Sequence, residues 1–118
     1  MDDGIKHEMD ELRPALLALH KALLGVERRQ LERVHGRLSS AEFLQIVSDP
    51  VRYGWLKPFS NLILAFDDEE HEGDLREEAR GLLLPPKADT PFGRRYLSLM
   101  QREPGLVIEH RAVARLLS

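Results

Sequence analysis

The chain has 118 residues, no cysteine, 17 basic against 20 acidic side chains and a formal net charge of -3. That length suits one domain able to bury about two-thirds of its unfolded surface. The lack of cysteine excludes disulfides, thiolate metal sites and cysteine nucleophiles, and the charge balance gives no general attraction to nucleic acid or anionic lipid. The acidic start MDDGIKHEMDEL does not read as a signal peptide, and no apolar run approaches the roughly 20 residues of a membrane span, so the expectation is a cytoplasmic protein bound neither to membrane nor to nucleic acid.

Leu12, Leu16, Leu19, Leu23 and Val26 recur at spacings of four and three, with Leu17, Leu24 and Leu31 in a second row beside them. The spacing predicts one long amphipathic helix over residues 13 to 35, with an apolar sector about 180° wide. A sector that broad covers more than one neighbour: either this helix is central and flanked on both sides, or one flank is an oligomer interface. Pro14 places the helix start, or a kink, at that point. Residues 1 to 12 then read as a separate short helix anchored by Met9, or as a frayed end. Gly36 supplies the C-terminal stop.

Ser39 and Glu42 have the spacing of a capping box before Phe43, Leu44, Ile46 and Val47, which predicts a short second helix. Asp49-Pro50 restarts the chain, and Trp55, Leu56, Phe59, Leu62, Ile63 and Phe66 share one face of a third helix running over residues 55 to 70. Gly73 and Asp74 separate it from a fourth helix that carries Leu75, Ala79, Leu82 and Leu83 and stops at Pro85-Pro86. Thr90-Pro91 and Glu103-Pro104 open two more. No alternating β-branched and aromatic run reaches four residues, so the fold class is all-α: a single-domain compact bundle of five or six helices, with the first and third helices as its main core pair.

His20 and Glu27 fall near the middle of the long helix's apolar sector, where leucines would be expected. A carboxylate or imidazole there needs a partner or a changed protonation state. The two read as hydrogen-bonded core polar groups, as part of a ligand site, or as a proton-transfer pair; Tyr53 and Trp55 are the aromatic residues that would line such a pocket. A divalent metal is the alternative occupant. Asp67, Glu70 and His71 supply hard and borderline ligands, and Glu32-x-x-His35 has the spacing of one half of a di-metal bundle whose second half is missing. An EF-hand reading of DDEEHEGD fails, because Ala79 occupies the closing position that needs a bidentate glutamate. The arginines, including Arg28, Arg29, Arg33, Arg37 and Arg94-Arg95, read as solvated faces with local ion pairs.

The segments LHKALLGVERRQLERVHG and DPVRYGWLKPFSNLILAFD resemble a family of small, uncharacterised bacterial helical proteins. The resemblance implies a bacterial origin and a helical fold and carries no activity, cofactor or site residue. With no catalytic motif, the sequence reading leans away from an enzyme. It favours a helical interaction or structural protein, working with a protein partner or a second copy through the wide face of the long helix. The alternative is a ligand- or metal-binding bundle.

Overall fold

A computed structural model describes the backbone of residues 2–118 and the side chains of residues 11–118. Helix α1 runs from Asp2 to His35 without a break. Pro14 therefore neither starts nor interrupts it, contrary to the sequence expectation of a break. Pro14 is exposed, so its ring lies on the solvent side of the helix. Across the proline the apolar row continues, and Leu12 and Leu16 are both sealed in the core. Each such burial stabilises by about 2 kcal/mol, enough together to offset the helix bond that a proline cannot donate. The proposed Met9 anchor lies outside the described side chains.

Gly36 ends α1 at φ +79, the left-handed conformation that glycine adopts without strain. Two side chains of α1 hold the chain that leaves it: the Leu38 amide donates to Glu32 Oε2 at 2.9 Å, and Arg28 donates to the Leu38 carbonyl at 2.6 Å. Helix α2, Ser40–Val47, begins with the reciprocal Ser39/Glu42 capping box. Asp49 caps the single turn α3, Pro50–Tyr53, which passes through a 3-10 turn, Gly54–Leu56, into α4, Lys57–Ala65.

The third helix expected over 55 to 70 is thus a tight turn followed by a shorter helix. It stops early because the carboxylates beyond it oppose the helix dipole at a C-terminus, and the Asp68 side chain captures the Glu70 amide at 3.0 Å in a competing turn. Helices α5, Leu75–Leu83, α6, Pro91–Arg102, and α7, Pro104–Leu117, follow; side chains of Asp74 and Thr90 cap α5 and α6. The described backbone contains no strand, and no described helix is long and apolar enough to cross a membrane.

The main core joins Leu12, Leu16, Leu19, Leu23 and Val26 of α1 to apolar residues of α4, α5, α6 and α7. A satellite core of Leu31, Leu38, Phe43 and Tyr53 sits under α2 and α3. The principal neighbour of α1 is α7 rather than the third-helix segment, which corrects the expected core pair. The physical reason is length: α7 has fourteen residues to lay along the α1 row, whereas α4 has nine. Since α7 and α4 both pack on α1, its wide apolar sector is covered within the chain, and α1 is the central helix of the two alternatives. The face expected to support self-association is occupied; Leu17 remains at its edge, 38% exposed.

Candidate functional site

Where the C-terminal half of α1 passes α3 and α6, the helices leave a cleft of about 420 Å³. α1 contributes Glu27, Gln30, Leu31, Val34 and His35, while Arg52 and Tyr53 come from α3, Trp55 from the 3-10 turn and Arg95 from α6. The local sequence explains the placement. Asp49 and Pro50 start α3 abruptly and the tight turn re-aims the chain, so Tyr53 enters the satellite core while Trp55 reaches α6, its indole stacked 6.3 Å from the Phe92 ring.

Glu27 is the one charged residue in the buried interior among the described residues, at 5% exposure. Its Oε1 accepts from Arg95 Nε at 3.2 Å and from Arg95 Nη2 at 2.8 Å, and the same Nη2 donates to Gln30 Oε1 at 3.2 Å. The Arg95 guanidinium also lies over the Trp55 ring, 6.0 Å from its centroid. Arg52 sits similarly over Tyr53 at 5.8 Å. Burial raises the Tyr53 hydroxyl pKa above the usual phenol value, opposed by Arg52, reinforced by Glu27 and opposed again by Arg95. The phenol is therefore a neutral hydrogen-bonding group near pH 7.

Of the sequence candidates, Glu27, Tyr53 and Trp55 come together in this cleft. His20 does not: it stands two helical turns before Glu27, about 10 Å of rise along α1. Its Nε2 is 2.9 Å from Ser60 Oγ, its ring meets Phe59 edge-on at 5.3 Å, and burial lowers its pKa. His20 and Glu27 thus have separate partners and do not form a proton-transfer pair. The three candidate metal ligands are also dispersed in their bonding. Asp67 pairs with Arg13 at 2.9 Å, His71 Nε2 lies 2.7 Å from Glu78 Oε2, and Glu70 is exposed. Among the described residues no three histidine, aspartate or glutamate side chains converge as a metal site.

Arg95, Arg52 and Gln30 belong to the cleft and were not singled out by sequence reasoning. A glutamate on an apolar helix face signals that a partner must come from elsewhere in the chain, but nothing in the sequence singles out Arg95 as that partner. No known protein family, curated protein or solved structure matches this chain closely enough to indicate kinship.

Proposed function

We propose that this is a non-enzymatic ligand-binding helical protein whose site is the cleft between α1, α3 and α6. The observation that supports this most directly is the Glu27–Arg95 pair at the cleft, a buried carboxylate holding a partly exposed guanidinium in one orientation beside Trp55 and Tyr53. Arginine held by a carboxylate, a side-chain amide oxygen and an aromatic ring loses little freedom when it meets a ligand, which is what a preorganised site needs. Binding is favoured over catalysis because the polar groups of α1 are engaged separately. It is favoured over self-association through α1 because that helix's apolar sector is already covered by α4 and α7.

The test is a fragment screen read by two-dimensional NMR on the full chain, with the Trp55 indole N–H as the reporter, since it belongs to the sole tryptophan. Binders are expected to shift that resonance together with the amides of residues 27–35 and 52–55. Fragments that bind only elsewhere, or none that move these signals, would refute the cleft as a ligand site.

A further inference from the structure

We infer that the cleft takes a carboxylate carried on a flat apolar body, with Arg52 and Nη1 of Arg95 as its charge partners. The inference rests on the cleft being a ligand site and adds the chemistry of the ligand.

Each guanidinium lies over an aromatic ring, Arg52 over Tyr53 and Arg95 over Trp55, and a cation–π contact of this kind uses up none of the N–H donors. Arg95 uses Nε and Nη2 on Glu27 and Gln30, and its Nη1 has no acceptor among the described residues. Arg52 is exposed and has no carboxylate within ion-pair distance among them. The Tyr53 hydroxyl and the Trp55 indole N–H also lack a hydrogen-bonding partner among the described residues, and neither is sealed from solvent.

On the acceptor side, Glu27 Oε1 and Gln30 Oε1 are already engaged by Arg95, which leaves Glu27 Oε2 as a single carboxylate oxygen against the free N–H groups of Arg52, Arg95 and Trp55. The cleft therefore has donors in excess of free acceptors, and an acceptor-rich ligand satisfies it. Charge gives the same sign: Glu27 offsets Arg95, leaving the Arg52 charge for a monoanion. A carboxylate is planar and matches the fork of the Arg52 guanidinium edge with two parallel bonds, while Arg95 Nη1 can add a single one. Apart from His35, the rest of the lining is apolar: the two aromatic rings, Leu31, and Val34 at 78% exposure. Rings and an exposed valine favour a flat hydrophobic body over a bare inorganic anion.

Calorimetry and NMR with three probes separate the parts of this inference: 1-naphthoate, its neutral amide 1-naphthamide, and inorganic phosphate. Naphthoate is expected to bind in the cleft with Kd on the order of 1 mM or tighter. It should bind about tenfold more tightly than naphthamide, the margin of one charge-assisted hydrogen-bonded contact, and weaken as salt is raised. Arg52→Gln should remove about tenfold of the naphthoate affinity and leave naphthamide unchanged. Because Arg52 is exposed, its thermal midpoint should match the parent protein's, which keeps the variant interpretable. Naphthamide binding as tightly as naphthoate, or Arg52→Gln without effect, overturns the carboxylate while the cleft stands as a site for neutral ligands. Phosphate binding more tightly than naphthoate overturns the apolar body. No naphthoate binding overturns the ligand class, and the wider fragment screen reports separately on whether the cleft binds anything.

Discussion

Glu27 and Arg95 share one ion pair and stand in different surroundings: the carboxylate side chain is 6% exposed and the guanidinium 34%. Losing either partner is therefore not equivalent. Arg95→Met strands a buried charge and is expected to cost about 3 kcal/mol, whereas Glu27→Gln leaves a guanidinium that reaches water and keeps a hydrogen-bond acceptor, at about 1 kcal/mol. Urea unfolding of the two variants checks this, and equal losses would show that burial of the carboxylate does not govern the pair. The periodicity of α1 made Glu27 and His20 conspicuous, because a polar side chain on an apolar row is visible in one helix alone. Their partners were not legible, since Arg95 lies 68 positions from Glu27 and Ser60 lies 40 from His20. Arg52 and Arg95 look in sequence like any arginine on a helix surface. Only the packing of α3 and α6 against α1 distinguishes them.

Local chemistry made most helix starts readable: the Ser39/Glu42 box, Asp49-Pro50, Asp74 and Thr90-Pro91 all cap helices with the expected side chains. Where competing energies decide, local signals fell short. Pro14 is overridden by tertiary burial on either side, and α4 ends before its apolar pattern does. A related tertiary constraint falls on Gly93 in α6. The Thr90 hydroxyl donates to the Lys87 carbonyl at 2.8 Å and accepts from the Gly93 amide at 3.0 Å, drawing the loop onto the first turn of the helix. A Cβ at Gly93 would fall 1.9 Å from the Lys87 carbonyl oxygen, a backbone atom that cannot rotate away. Gly93→Ala is expected to destabilise by roughly 3 kcal/mol, against the helix-propensity gain of about 1 kcal/mol. Gly81→Ala, exposed on α5 with nothing within 4 Å of the added carbon, should instead stabilise by about 0.5 to 1 kcal/mol. Thermal melts moving in opposite directions for the two variants would establish the contact. Parallel shifts would remove it.

At the scale of the whole molecule, the all-helical class followed from spacing, while the pairing of α1 with α7 had to await the lengths of the helices actually formed. One arrangement links nearly every layer. His20 of α1 meets Phe59 of α4, which meets Phe92 of α6 edge-on at 5.9 Å; Phe92 stacks on Tyr96 at 5.3 Å, and the Tyr96 hydroxyl lies 2.7 Å from Nδ1 of His110 on α7. An imidazole stands at each end of this aromatic row, and burial depresses both pKa values. Burial also pushes the Tyr96 hydroxyl far above the usual phenol value, so the phenol keeps its proton beside His110. In the unfolded chain both histidines titrate near about 6.5. Below that pH the unfolded state binds more protons than the folded one, so stability is complete above about 6.5 and declines as pH falls toward the lower folded-state values. Protonating His110 makes Nδ1 a donor, and the Tyr96 hydroxyl then accepts from it across the same 2.7 Å contact. The urea midpoint is expected to hold between about pH 8 and 7 and to fall between about pH 6.5 and 5, ahead of the general titration of carboxylates. His20→Asn and His110→Gln should each flatten that fall, and the double variant should flatten it further. A midpoint unchanged down to pH 5, or a fall equally steep in the double variant, would mean that the two ends of the row do not couple the helices to pH.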